Sequence, residues 1–380
     1  MPLPRKSYAA RPVVVGGITE TIQRALSSAG LDTSSGPLSG VARTIEKALS
    51  AAGLNQPATA PTVMEGARIE PVALPAPAHR GDFVSRSFTN GTGTRTYKVY
   101  IPESYSAANG NEVPMVVMLH GCTQSPDDFA AGTQMNALAE QHGFLVVYPA
   151  QAANANGSKC WNWFRSEDQG RDGGEPSIIA GITHEVASHY RIDRRRIFVA
   201  GLSAGAAMAV ILGATHPELY AAVGAHSGLP YAAAHDVPSA FSAMKGGGAP
   251  ASLSTQFARR RAHRPSVKHS VPTIVFHGDS DGTVAASNGA AIVEAMVAVT
   301  DQQGLRVNTQ EGAMSSGRTY NRTVYANAAD EAIVEHWVLH GAGHAWSGGS
   351  SSGSFTDPAG PDASAEMIRF FYAQKRAGTA

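Results

Sequence analysis

The chain lacks long apolar runs and any excess of charge, and these absences exclude several classes of protein. No uninterrupted hydrophobic stretch approaches the roughly 20 residues that a membrane-spanning helix requires, so we expect no transmembrane segment. Thirty basic residues balance thirty acidic ones, which leaves a formal net charge of zero. Because no global field attracts polyanions, we expect no nucleic-acid partner and a substrate that is uncharged or weakly charged.

Cysteine is also scarce, since Cys122 and Cys160 are the two that the chain contains. They form one disulfide or remain thiols, and their number alone does not decide the compartment. Basic residues near the start are followed only by Val13-Val14-Val15, which is too short for the apolar core of a signal peptide. No signal peptide is therefore visible, and a cytoplasmic location stays open.

An internal repeat occupies the N-terminal segment 1–54, where residues 17–31 and 40–54 have closely similar sequences. In each copy the larger aliphatic residues fall four apart and a glycine follows, which predicts two small amphipathic helices. Such short helices need a surface to pack on: their own domain, a second copy of the chain, or a hydrophobic particle or membrane surface. An Ala- and Pro-rich stretch at 55–80 reads as a linker.

The remaining residues, 81–376, show the alternation of an α/β domain. Two alternating runs flank the turn at 90–93 and predict a hairpin. Six short apolar runs follow, separated by helix-like sequence: 115–119, 144–148, 196–200, 221–224, 273–276 and 333–339. This order predicts a mostly parallel central sheet with helices on both faces, and it places functional loops at the carboxyl ends of the strands.

The pentapeptide Gly201-Leu202-Ser203-Ala204-Gly205 stands between one of these predicted strands and a helix-like stretch. A serine in this G-x-S-x-G context occupies a strained turn, the nucleophile elbow, and small flanking residues make the turn possible. A serine hydroxyl needs a base, a group that orients the base, and donors for an oxyanion. Because such a pentapeptide also arises by chance, the interpretation depends on finding these partners.

Candidates for the partners follow two later strands. Asp281 is the preferred acid, and Asp279 is the alternative that we expect to cap the loop. His344, in a loop of small residues, is the preferred base, whereas His340 at the strand end suits a structural role. The order Ser203, Asp281, His344 is the order of α/β-hydrolases.

Two backbone N–H groups are candidates for the oxyanion hole. One belongs to Ala204, directly after the proposed nucleophile, and the other to Cys122, in the loop His120-Gly121-Cys122 after the first long central strand. His120, His226 and His277 also admit a simpler interpretation as core histidines. No metal ion and no organic cofactor is needed for this chemistry.

With these motifs in hand, residues 82–374 resemble the esterase family named for polyhydroxybutyrate (PHB) depolymerases, type 1 catalytic domain, which includes feruloyl and acetyl xylan esterases. The segments that carry the resemblance are LHGCTQSPDDFA at 119–130, CWNWF at 160–164, GLSAGAAMA at 201–209, FHGDSDGTV at 276–284 and GAGHAWSGG at 341–349. The resemblance implies an α/β-hydrolase fold and assigns nucleophile, acid and base to Ser203, Asp281 and His344.

Within this family frame, Cys122 and Cys160 both follow central strands, so a disulfide between them would stiffen the oxyanion loop; two buried thiols are the alternative. The resemblance also suggests that Trp163 and Trp346 line an apolar substrate cleft. An extracellular location is suggested by the same resemblance and by the disulfide, against the missing signal peptide.

The sequence thus predicts hydrolysis of a carboxylic ester through an acyl-enzyme, with short-chain polyhydroxyalkanoates or their oligomers as substrate. Feruloyl or acetylated polysaccharide esters are the alternative substrate class. A non-enzymatic alternative is a protein that binds polymer granules or a partner on a hydrolase scaffold, with self-association through the N-terminal repeats.

Overall fold

A computed structural model describes residues 81–106, 110–247, 271–300 and 304–376. The predicted helical repeats at 1–54 and the linker at 55–80 lie outside the described residues.

The described part consists largely of alternating strands and helices. The strands are β1 (Asp82–Asn90), β2 (Gly93–Ile101), β3 (Val113–Leu119), β4 (Leu145–Pro149), β5 (Ile192–Leu202), β6 (Ala222–His226), β7 (Thr273–Gly278), β8 (Arg306–Ala313), β9 (Thr319–Ala326), β10 (Ala332–Leu339), β11 (Trp346–Ser347) and β12 (Thr356–Asp357). The helices are α1 (Pro126–Thr133), α2 (Met135–His142), α3 (Gly174–His189), α4 (Ala204–Thr215), α5 (Val237–Met244), α6 (Ser287–Thr300) and α7 (Ala363–Ala373), with a 3-10 turn at Ser166–Gln169.

Within the described residues, ten strands form one sheet in the order β1-β2-β4-β3-β5-β6-β7-β10-β9-β8. The six central strands, from β4 to β10, are parallel, and antiparallel strands flank them on both sides. The predicted hairpin is the pair β1 and β2, in register from Asp82 opposite Ile101 to Asn90 opposite Gly93. The predicted α/β architecture is confirmed.

The sheet has an apolar core on each face. Strand β3, with the sequence VPMVVML, is buried along nearly its whole length, as expected for a strand covered on both sides. Because successive side chains point to opposite faces, Val117 joins the core beneath α3, α4 and α6, whereas Val116 joins the core beneath α1, α2 and α7. No helix of the described residues is long and apolar enough to cross a bilayer.

The hairpin of β8 and β9 was not predicted from the sequence. Strand β8 is exposed over nearly all its residues, and β9 is mostly half-buried, so neither presents the apolar run that identified the central strands. The turn contains Gly317 at φ +87°, a conformation that favours glycine. An exposed pair of this kind extends the sheet without adding much core.

All six central strands run in the same direction, so their carboxyl ends meet at one edge of the sheet. The loops that leave β3, β5, β7 and β10 lie along this edge. They carry Cys122, Ser203, Asp281 and His344, respectively.

Candidate active site

Ser203 lies between β5 and α4 with a strained backbone, at φ +58° and ψ −118°. The turn is held by a hydrogen bond from its N–H to the carbonyl oxygen of His226, at 2.9 Å. A side chain at Gly201 would place Cβ 2.4 Å from the carbonyl carbon of Gly205, and one at Gly205 would place Cβ 2.0 Å from the oxygen of Leu119. The glycines therefore permit a close approach of β3, β5 and α4, and the strained backbone has the form expected of a nucleophile elbow.

Asp281 and His344 are in direct contact, with Oδ2 of the carboxylate 2.7 Å from Nδ1 of the imidazole. The other carboxylate oxygen, Oδ1, accepts hydrogen bonds from the N–H groups of Thr283 at 2.9 Å and Val284 at 2.8 Å. The Asp281 side chain is fully buried, whereas that of His344 is 13% exposed. Because two backbone N–H groups fix the Asp281 carboxylate, its contact with Nδ1 fixes the orientation of the His344 ring.

His277 lies behind Asp281 and shares its environment. Its Nε2 is 2.9 Å from the carbonyl oxygen of Val284 and 3.5 Å from Oδ2 of Asp281. Burial by itself raises the pKa of Asp281, but the hydrogen bonds of His277, His344 and the Val284 N–H, with the charge of His344, hold that pKa far below its usual range. Asp281 therefore stays ionised through the mildly acidic range.

Asp279 and His340, the alternatives to this pair, contact each other instead. Oδ2 of Asp279 lies 2.9 Å from Nδ1 of His340, and its Oδ1 accepts a hydrogen bond from the N–H of Gly341 at 2.7 Å. Both contacts tie the loop after β7 to the loop after β10. Asp279 thus caps the loop that carries His344, as its turn position suggested.

The loop after β3 lies against the elbow. Leu119 pairs with Gly201 in the sheet, and a Cβ at Gly205 would be 2.6 Å from the carbonyl oxygen of His120. Within the described part of the chain, neither the N–H of Cys122 nor that of Ala204 donates a hydrogen bond to another group. That these two N–H groups bind an oxyanion stays a prediction.

Cys122 is joined to Cys160 by a disulfide, with the two Cα atoms 4.2 Å apart. The main chain makes a second connection, because the N–H of Thr123 donates to the carbonyl oxygen of Ser158 at 2.7 Å. The loop after β3 is thus bound to the segment 156–162 by a covalent bond and a hydrogen bond.

The two tryptophans predicted to line a cleft, Trp163 and Trp346, are both buried. Trp346 is 1% exposed; its ring packs on His226, and its indole N–H donates to the hydroxyl of Ser364 at 3.0 Å. Trp163 is 6% exposed and packs against Phe164. Both belong to the buried core clusters, and a role in lining a substrate cleft stays a prediction.

His226 is a structural part of the site that sequence reasoning described only as a core histidine. It is fully buried and stacks between Phe276 and Trp346, and its Nε2 accepts a hydrogen bond from the N–H of Ser347 at 3.0 Å. Burial lowers its pKa to about 3, so the ring is neutral. No local pattern signals this role, because the contacts come from other strands and loops that are distant in the chain.

No group of three or more His, Cys, Asp and Glu side chains within residues 81–106, 110–247, 271–300 and 304–376 is arranged to hold a metal ion.

The chain is similar to several known esterases. The sequence model of the Esterase PHB depolymerase family matches residues 95–321, more than half of the chain. A poly(3-hydroxyalkanoate) depolymerase C from Paucimonas lemoignei is 32% identical over 267 residues, which cover 69% of this chain and 60% of that protein. An acetylxylan esterase A from Talaromyces purpureogenus is 33% identical over 141 residues, which cover 37% of this chain and 35% of that protein. The chain thus spans less than two thirds of these relatives.

Among solved structures, the acetyl xylan esterase from Aspergillus awamori superposes on 76% of this chain and 99% of its own, with a TM-score of 0.59 and 20% identity. At this identity the likeness concerns the fold alone, which is the α/β-hydrolase fold.

Proposed function

Because this chain belongs to the Esterase PHB depolymerase family, we propose that it hydrolyses carboxylic esters with Ser203 as nucleophile, His344 as general base and Asp281 as the group that orients the base. The observation that carries the proposal is the 2.7 Å contact between Asp281 and His344 at the sheet edge that also carries the strained Ser203. Three groups from three loops then have the roles that acyl transfer requires.

In the first half of the reaction, the hydroxyl oxygen of Ser203 bonds to the carbonyl carbon of the ester while Nε2 of His344 takes the hydroxyl proton. Asp281 accepts the hydrogen bond from Nδ1 and stabilises the imidazolium that results. The carbonyl oxygen becomes an oxyanion, and the N–H groups of Cys122 and Ala204 donate to it. The intermediate collapses when the alcohol leaves with the proton from His344.

In the second half, water attacks the acyl group on Ser203. His344 takes a proton from the water, and the same two N–H groups stabilise the second oxyanion. The bond from the acyl carbon to the serine oxygen breaks, and Ser203 regains its proton from His344 as the carboxylic acid departs.

For the substrate, we propose short-chain hydroxyalkanoate polyesters or their oligomers. The support is the match to the Paucimonas lemoignei depolymerase, which covers 69% of this chain against 37% for the acetylxylan esterase from Talaromyces purpureogenus. Acetylated or feruloylated polysaccharide is the second candidate, supported by the sequence match to the acetylxylan esterase from Talaromyces purpureogenus, which is 33% identical over 37% of this chain.

Hydrolysis of p-nitrophenyl butyrate by wild type and by Ser203→Ala tests the reaction. We expect the variant to lose activity by a factor of about 10⁶, while Ser280→Ala, an exposed serine on the same sheet edge, keeps it. Equal rates for wild type and Ser203→Ala would disprove the proposal and favour a binding protein on a hydrolase scaffold.

Parallel assays with hydroxybutyrate oligomers, methyl ferulate and acetylated xylan test the substrate. We expect the highest kcat/KM for the oligomers. A higher value for acetylated xylan or methyl ferulate would replace the first substrate class with the second.

A further inference from the structure

The direction of the Cys122 N–H is fixed by two hydrogen bonds to the carbonyl oxygen of Gly121, one from the N–H of Gln124 at 3.3 Å and one from the histidine two residues before Cys122. Nδ1 of His120 lies 2.8 Å from the carbonyl oxygen of Gly121. That carbonyl belongs to the same peptide unit as the Cys122 N–H, and in a planar trans peptide the two groups point in opposite directions. A hydrogen bond that holds the carbonyl oxygen therefore also fixes the oxyanion donor.

The opposite ring nitrogen determines which tautomer His120 adopts. Its Nε2 lies 3.1 Å from the backbone nitrogen of Gln151, which can only donate. Nε2 must then accept, and the ring proton stays on Nδ1, where it donates to Gly121. His120 is 1% exposed and burial lowers its pKa to about 4, so the ring is neutral at pH 7.

Gln151 is itself held in place by a buried ion pair. Its Oε1 accepts a hydrogen bond from Nε of Arg95 at 2.8 Å, and its Nε2 donates to Glu175 and, at 2.8 Å, to the carbonyl oxygen of Cys160. Arg95 and Glu175 lie 3.2 Å apart, with side chains 9% and 4% exposed. This hydrogen-bonded group connects the first turn of α3 to the loop after β3.

Glu175 also binds the segment that carries the disulfide. Its Oε2 accepts a hydrogen bond from the N–H of Asn162 at 2.7 Å, and its Oε1 accepts one from Nδ2 of the same residue at 2.9 Å. The neighbouring Trp161 donates its indole N–H to the carbonyl oxygen of His120 at 3.1 Å, and Cys160 bonds to Cys122. Each of these connections leads from Glu175 to the same three-residue loop.

We propose that Glu175 is a positioning residue for the oxyanion hole, acting through Gln151 and His120 on the peptide that carries the Cys122 N–H. The inference rests on the proposed function, because it assigns Glu175 to the loop that would bind the oxyanion. Besides pairing with Arg95, Glu175 accepts hydrogen bonds from Gln151 and from Asn162, and these two residues belong to the two segments that contact the loop. Glu175 does not touch the reacting atoms. Because the Cys122 N–H would bond to an oxyanion that forms only in the transition state, removal of Glu175 should affect kcat more than substrate binding.

The test compares Glu175→Gln with Glu335→Gln, which removes an equally buried carboxylate. Glu335 is fully buried and bonds to Arg322, Arg369 and Trp337, none of which belongs to the oxyanion loop. For p-nitrophenyl butyrate, measured well below each melting temperature, we expect Glu175→Gln to lower kcat by about 10- to 100-fold with KM nearly unchanged. Inactivation by a p-nitrophenyl alkylphosphonate, which also needs the oxyanion donors, should slow by a similar factor. Glu335→Gln should lower the melting temperature but keep kcat.

Because Glu175→Gln leaves Arg95 buried without its partner, the variant risks failing to fold. The double variant Arg95→Met with Glu175→Gln removes both charges and should show the same loss of kcat. At His120, an asparagine can offer its amide N–H near the position of Nδ1, so we expect His120→Asn to keep more kcat than His120→Leu. Wild-type kcat in a folded Glu175 variant, or an equal loss in Glu335→Gln, would overturn the inference.

Ser203→Ala separates this inference from the proposed function. If that variant is inactive while the folded Glu175 variants keep wild-type kcat, the esterase mechanism stands and only the positioning role is wrong. If Ser203→Ala keeps wild-type activity, the proposed function fails first and the positioning role fails with it.

Discussion

Replacing Asp281 with asparagine should change the tautomer of His344, the proposed general base. Oδ1 of Asp281 accepts two backbone hydrogen bonds, from Thr283 at 2.9 Å and Val284 at 2.8 Å. The amide oxygen of an asparagine must occupy this position, because the amide NH₂ there would face two donors and leave them unpaired, at a cost of about 1–3 kcal/mol each. The NH₂ group is thereby placed toward His344.

That orientation selects the wrong tautomer of the imidazole. The NH₂ group would stand where Oδ2 now lies, 2.7 Å from Nδ1 of His344, and it can only donate. Nδ1 must then accept, the ring proton moves to Nε2, and Nε2 can no longer take the proton of Ser203. A base held in the wrong tautomer loses about 10⁴ in kcat, which corresponds to about 5.4 kcal/mol in the barrier.

The assay is steady-state hydrolysis of p-nitrophenyl butyrate by Asp281→Asn, with Asp279→Asn as the matched control. Asp279 bonds to His340 and to the N–H of Gly341, so its replacement loosens a loop without changing the tautomer of His344. We expect Asp279→Asn to lose less than about tenfold in kcat, as for a small displacement of the loop. The reasoning is refuted if Asp281→Asn keeps more than about a tenth of wild-type kcat, or if Asp279→Asn falls as far.

Three further predictions concern stability and the elbow. Gly205→Ala places Cβ 2.0 Å from a main-chain oxygen of β3, so it should abolish activity and lower the melting temperature. The control Gly170→Ala has nothing within 4 Å of its Cβ and should do neither. Similar melting curves for the two variants would contradict this prediction. Cys160→Ala opens a loop that spans 38 residues and should lower the free energy of unfolding by about 4 kcal/mol in denaturant titrations, and an unchanged midpoint would count against it. Burial, with the charge of Glu175, raises the pKa of Asp168 to about 6, so the folded protein binds that proton more tightly than the unfolded chain and stability falls as the pH rises from about 4 to about 6. Asp168→Asn should therefore raise the free energy of unfolding by about 1–3 kcal/mol at pH 7 and remove this part of the pH dependence of stability. Equal free energies of unfolding for wild type and variant at pH 7 would argue against this prediction.

Much of the fold was predictable because its central strands and the turn at Ser203 depend on short stretches of sequence. Most residues of the central strands are buried, so these strands appear as short apolar runs, whereas β8 and β9 are exposed or half-buried and were missed. The elbow was predictable for a similar reason: a strained turn at φ +58° needs small residues on both sides, and glycine is visible in the sequence. The burial of individual side chains was harder to predict. Trp346 follows His344 by two residues and yet lies in the core.

The sequence by itself determined the alternation of the central strands with helices, the turn at Ser203 and the sheet edge to which the candidate residues belong. These properties follow from periodicity and from steric limits that act between near neighbours in the chain. Only the tertiary structure decided that Asp281 contacts His344 while Asp279 contacts His340, that Cys122 is bonded to Cys160, and that Glu175 holds the segment beside His120. These contacts join residues from 13 to 63 positions apart in the chain, and packing of the domain brings them together.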